Sequence, residues 1–232
     1  MTYMTPPKHL SEVVLLGTSG GPRWWSDRAG ISTAIIAGDR WYLVDCGSGL
    51  GPQIRRAGLE LGALAGVFVT HLHSDHIADL MGLLTFGMFE IGTPTAPIPV
   101  VGPGDRGVPT PLSPRATNDP GVICPEDPTP GLVGTWEHLL AANATDLNDR
   151  LRDSLRPHPN ELFAPRDIAL PAELGFHPDR NPAPPMEPLL LHADERVRVS
   201  AVLASHAPMA PAYALSLRHR RGVRRRFGRR QR

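Results

Sequence analysis

The sequence predicts a mixed α/β domain. Three observations carry that reading. Short apolar runs bounded by glycine turns fill the first 70 residues, as strands do. A buried run at 67–70 leads into a histidine-rich loop and then into a helical apolar face. After a proline-rich middle, strand-like alternation returns at 197–204. The 232 residues suffice for one sizeable core and suit one domain better than two.

The elements follow in chain order. Residues 12–16 form an apolar strand that stops at Gly17-Thr18-Ser19-Gly20-Gly21-Pro22, a glycine loop. That loop lacks the lysine and spacing of a phosphate-binding loop, so it reads as a tight turn near the site. Residues 32–37 and 41–44 flank Gly38-Asp39-Arg40 and predict a β-hairpin. Asp45-Cys46-Gly47-Ser48-Gly49 turns the chain, and residues 50–61 have helical spacing. Val67-Phe68-Val69-Thr70 reads as a buried strand. Ile77, Leu80, Met81, Leu84 and Met88 then share one face of a helix, with Ser74 or Asp75 placed to cap it. Residues 98–101 are a short strand ending at Gly102-Pro103. Residues 105–130 have no period, 135–155 predict a second helix, and 160–188 return to proline-rich loop. Residues 197–204 form a strand that delivers Ser205-His206, and 213–217 begin another. The division expected is a domain over 1–217, with a loop and helix insert at 105–188, and an arginine-rich, disordered tail at 218–232.

Charge is divided unevenly. The tail holds nine arginines and no acid. Removing those nine from the 24 basic residues leaves 15 against 23 acids, so the body is near −8. A body this acidic does not advertise a nucleic-acid surface, although the tail could bind acidic partners. Cys46 and Cys124 form no CxxC pair, which argues against a disulfide framework or a cysteine zinc site. The first ten residues lack a signal-peptide core, and no stretch approaches the roughly 18 apolar residues of a membrane helix. A soluble, cytoplasmic protein with no membrane partner is expected.

The chemistry concentrates in Thr70-His71-Leu72-His73-Ser74-Asp75-His76. Alternate side chains of extended backbone share a side, so His71 and His73 can grip one ion while Leu72 turns away. The helix that follows aims Asp75 and His76 elsewhere, so one loop can present two ligand pairs. Imidazole nitrogens plus a carboxylate suit zinc, with manganese or iron as alternatives.

This stretch resembles the HxHxDH signature of the metallo-β-lactamase superfamily. Leu15-Leu16-Gly17-Thr18-Ser19-Gly20-Gly21, Val44-Asp45-Cys46-Gly47 and Pro99-Val100-Val101-Gly102-Pro103 are similar to segments of its ribonuclease Z and arylsulfatase-like branches. The resemblance implies an αββα sandwich and a hydrolase with two zinc ions. It implies His71, His73, Asp75 and His76 as metal ligands, Asp75 also as proton acceptor, and Asp45 as a brace for the metal loop. It further implies a histidine after a later strand. His206 fits by context, with His192 and His177 as rivals.

The substrate implied is an RNA phosphodiester or a small-molecule ester such as a sulfate ester. The family also supplies an acidic bridging ligand in a Gly-Asp-Thr-like turn and a last histidine. No such turn follows His206, and His219 lies in the arginine run. The expectation is therefore a sandwich whose second half is incomplete, from a reading frame that ends early, with one zinc or none. The competing reading is an inactive homologue whose basic tail binds nucleic acid. A homodimer is left open.

Overall fold

The computed structural model describes residues 11–219. The tail residues from 220 onward lie outside the described residues, so the expectation of a disordered tail is not addressed there.

The first sheet has six strands. Strand β1 (Ser11–Gly17), β2 (Ser32–Ala37) and β3 (Arg40–Val44) are antiparallel neighbours. Strand β4 (Leu64–Phe68), β5 (Ile98–Pro103) and β6 (Phe163–Ile168) then add in parallel, giving the order β1-β2-β3-β4-β5-β6. The second sheet is an antiparallel β7 (Leu189–Ala193), β8 (Val197–Leu203) and β9 (Tyr213–His219).

Alternation along the strands builds two cores, because successive strand side chains point to opposite faces. Trp41, Leu43, Val67, Val69 and Val100 face the helices. Tyr42, Phe68 and Val101 face the second sheet and meet Val197, Val199, Ala201, Leu203 and Tyr213. Fully burying a side chain such as Phe68 contributes about 1.5–3 kcal/mol. Helices, sheet and sheet are thus the layers observed. Among the described residues no helix joins the core that the second sheet forms.

The hairpin, the strand into the histidine loop, β8 and β9 lie where the sequence places them, with small shifts at their ends. Several expectations need correction. Residues 50–61 give only a short α1 (Leu50–Arg56) followed by a separate 3-10 turn, because Gly58 adopts a positive φ of 68°. The helix after the histidines is two helices, α2 (Ser74–Ile77) and α3 (Leu80–Glu90). Neither Ser74 nor Asp75 caps it; Asp79 precedes α3 and instead accepts a hydrogen bond from Leu50 N at 2.8 Å. Residues 135–155 break at Asn143 into α4 (Leu132–Ala142) and α5 (Ala144–Arg152).

The next correction is the largest. Residues 160–188 are not loop alone: after the short α6 (Pro159–Leu162) they contribute β6, the outer strand of the first sheet. Pro165 hid it. Proline cannot donate to a ladder and is tolerated on an edge strand, which is where β6 sits. Arg218 and His219 also belong to β9, opposite Arg198 and Val197, so the start of the supposed tail is sheet.

Candidate metal centre

The site forms where several strand ends converge. Strand β4 ends at Phe68, and the chain is then pinned residue by residue. Asp45 N donates to Phe68 O at 3.0 Å, Val69 N to Val101 O at 2.8 Å, and Tyr213 N to Thr70 O at 3.0 Å. The last of these ties the second sheet to the residue before His71. Beneath, Cys46 N donates to His76 O and Asp79 N to Cys46 O. Gly47 is required here: a Cβ on it would stand 2.4 Å from Gly30 C and 2.5 Å from Asp75 O.

Asp45 is the brace. It is 3% exposed and holds a positive φ of 61°, a conformation that costs free energy in a non-glycine residue. Its Oδ1 accepts from Thr70 N at 2.7 Å, and its Oδ2 from Thr70 Oγ1 at 2.9 Å. His76 Nδ1 lies 2.8 Å from Oδ2. The Thr70 hydroxyl gives its one proton to Asp45, so it accepts from His71 Nδ1 at 3.0 Å. Both His71 and His76 therefore carry their proton on Nδ1 and leave Nε2 as a bare lone pair. Oriented tautomers of this kind are how outer groups prepare histidines for a metal.

Three imidazoles converge. His71 Nε2 lies 3.1 Å from His73 Nδ1, and His206 Nε2 lies 3.3 Å from the same atom. The ligand atoms of His71, His73 and His206 all fall within 4.8 Å of one another. His206 arrives on the loop after β8, closed at its base by Ala204 N donating to Ala212 O at 2.8 Å. Asp75 and His76 stand beside this group: His76 Nε2 is 3.6 Å from Asp75 Oδ2, and the His71 and His76 rings are 4.0 Å apart. Asp75 Oδ2 also accepts from Gly21 N at 2.6 Å, which joins the glycine loop to the site.

Electrostatics disfavour the charged forms of His71 and His73. Burial, then the neighbouring His76, His206 and His73, push His71 down to about 3. Burial and His206 also lower His73. Burial of Asp75 opposes its charge, but the Gly21 N–H and His76 outweigh it and hold the carboxyl below its usual range. The donor set fits a divalent cation. One proton between two nitrogens cannot also serve a third lone pair, whereas one ion satisfies all three. Tetrahedral zinc with nitrogens at 2.0–2.1 Å needs nitrogen pairs about 3.3–3.4 Å apart, and the two pairs that His73 Nδ1 makes, at 3.1 and 3.3 Å, are close to that.

The rival histidines are elsewhere. His192 Nε2 is 3.0 Å from Asp194 Oδ2, and its ring packs beside Tyr42 and Phe68. His177 Nδ1 accepts from Asp179 N and Arg180 N in a turn. Sequence reasoning missed Thr70 and Tyr213. Thr70 was visible only as the residue before the motif, and Tyr213 acts through its backbone, which no side-chain pattern reveals.

Comparison with known proteins agrees with this geometry. A model of the metallo-beta-lactamase superfamily matches residues 26–160. The chain belongs to the metallo-beta-lactamase superfamily. Within it, the chain resembles ribonuclease Z. It is 30% identical over 216 residues to ribonuclease Z from Mycobacterium sp. (strain KMS), covering 90% of this chain and 57% of that protein. It is 44% identical over 93 residues to ribonuclease Z from Mycobacterium bovis (strain BCG / Pasteur 1173P2), covering 40% and 33%. The crystal structure of human tRNase Z, short form, superposes with a TM-score of 0.58 at 20% identity, covering 90% of this chain and 65% of that one. That likeness concerns the metallo-beta-lactamase fold alone. The chain spans 57% of the length of the first of these relatives.

Proposed function

We propose that this chain is a zinc-dependent hydrolase of the ribonuclease Z type, acting on phosphodiester bonds in RNA. The observation that carries the proposal is the convergence of three imidazoles, His71, His73 and His206, whose ligand atoms lie within 4.8 Å of one another. Those three would hold one ion, and Asp75 and His76 would contribute to a second. Bound zinc would supply an acidified water and positive charge for the developing oxyanion. The chain's own residues do the rest. Asp45 and Thr70 fix the tautomers of His76 and His71, so their Nε2 atoms face the site. Asp75, held ionised by Gly21 N–H and its histidine neighbours, accepts the proton of the attacking water.

The resemblance to ribonuclease Z favours RNA over a small ester. The free thiols of Cys46 and Cys124 suit a reducing, cytoplasmic setting. Among the described residues no helix is long and apolar enough to cross a membrane.

The test is hydrolysis by the zinc-equilibrated full chain of an RNA with a 3′ extension, against an aryl sulfate ester. RNA cleavage that is lost in His71→Ala supports the proposal. Cleavage of the sulfate ester alone would move the chain to the arylsulfatase-like reading. Cleavage of neither would favour the inactive homologue.

A further inference from the structure

Two adjacent tryptophans stand on the loop that touches Asp75. The loop is closed at its root, where Ser19 N donates to Ala29 O at 2.9 Å and Ser19 pairs with Gly30. Its inner arm passes Gly21, which adopts a φ of 81° and donates its N–H to Asp75. Three residues on, Trp24 is 95% exposed and makes no hydrogen bond, ring contact or cation contact among the described residues. Three residues of chain reach at most about 10 Å, so the Trp24 backbone lies no farther than that from the Gly21 N–H that Asp75 accepts. Trp25 differs: the Arg28 guanidinium lies 4.4 Å from its ring centroid. Arg23 is exposed beside them in sequence, and among the described residues Arg28 pairs with a solvent-exposed Asp27 at 3.7 Å.

A single exposed apolar side chain usually needs no explanation. Here the exposed ring follows Arg23 in sequence, adjoins a second tryptophan that Arg28 covers, and sits on a loop whose Gly21 N–H is bound by Asp75. Flat aromatic faces interleaved with cations are how proteins grip single-stranded nucleic acid: bases stack and phosphates pair. The body of the chain is acidic overall, so a local basic and aromatic lip would supply contacts the rest of the surface lacks.

We propose that Trp24 is a stacking platform for an unpaired base of an RNA substrate next to the scissile bond, with Arg23 and Arg28 facing its phosphates. The proposal rests on the phosphodiesterase reading of the metal centre. Trp24 binds substrate and takes no part in the bond breaking. Trp25, its ring already covered on one side by Arg28, stiffens the lip.

The test measures KM and kcat for the zinc-loaded full chain on two strands. One is a single-stranded RNA with a 3′ extension; the other is the same RNA with abasic riboses in that extension. Trp24→Ala should raise KM roughly ten-fold on the intact strand and leave kcat within about two-fold. On the abasic strand Trp24→Ala should match wild type, because the base it would stack on is gone. Trp24→Phe should recover most of the loss. An unchanged KM for Trp24→Ala on the intact strand overturns the proposal. So does an equal loss on both strands, which would mark Trp24 as structural. Failure of wild type to cleave either strand would instead sink the phosphodiesterase reading, and this proposal with it.

Discussion

The two ends of the sandwich each gather histidine and carboxylate, yet they are built for different purposes. At one end, the Nδ1 atoms of His71 and His76 are held by Thr70 and Asp45, and their Nε2 lone pairs face other ligand atoms. At the other, His192 Nε2 is taken by Asp194, which also accepts from Tyr42 Oη at 2.6 Å and from the backbone N–H groups of Arg196 and Val197. The second end also borders a cavity of about 640 Å³, lined by Asp39, Arg40, His192, Asp194 and Arg196. What separates a ligand histidine from a structural one is whether its free nitrogen meets other lone pairs or an internal acceptor.

That contrast can be broken from either side. The largest expected effect is from Asp45→Ala. It strips the partner from Thr70 N, Thr70 Oγ1 and His76 Nδ1 together in a buried place. Denaturant unfolding should show a loss of about 3 kcal/mol or more, and zinc titration a 10- to 100-fold weaker affinity. A loss of stability with unchanged zinc affinity would mean Asp45 does not orient the histidines.

Asp194→Ala should cost about 2 kcal/mol in the same unfolding measurement and leave zinc affinity unchanged, since its partners are at the far end. Tyr42→Phe, which removes one donor to Asp194, should cost about 1 kcal/mol and also spare the metal. Weakened zinc binding in either variant would show that the two ends are coupled.

The pH dependence is the finest of these contrasts. His71 falls from 6.5 when unfolded to about 3 when folded. In metal-free protein the unfolded chain therefore binds more protons between those values, and stability declines as pH drops from 6.5 toward 3. Asp194 is lowered to about 2: its burial opposes the charge, and the Tyr42 hydroxyl with the Val197 N–H outweighs it. Its contribution is present above 3.8 and lost as pH falls toward 2. Acid unfolding of metal-free protein should thus show a loss beginning near pH 6 that His71→Ala reduces, with His73 contributing the remainder, and that Asp194→Ala leaves in place.

Much of the candidate site was legible in the sequence, because the side chains proposed as ligands are of rare types at fixed spacing on a strand, a loop and a short helix. His71, His73, Asp75 and His76 stand in one such run, and His206 follows the alternating β8. Elements shaped by their neighbours were harder to read. Strand β6 contains Pro165 and becomes a strand only because β5 offers it an edge. The helical period of residues 135–155 runs through Asn143, where the structure breaks. Ser74 and Asp75 look like caps by position, but the Asp75 carboxylate accepts from Gly21, 54 residues away in sequence, a contact no local window contains.

The proposed metal site is His71, His73 and His206, without His192. The most direct test is zinc content per chain, by elemental analysis of folded full chain equilibrated with zinc and desalted. About one tightly held ion is predicted for wild type and for His192→Ala, and close to none for His206→Ala. No zinc in wild type, or full zinc in His206→Ala, would contradict the account.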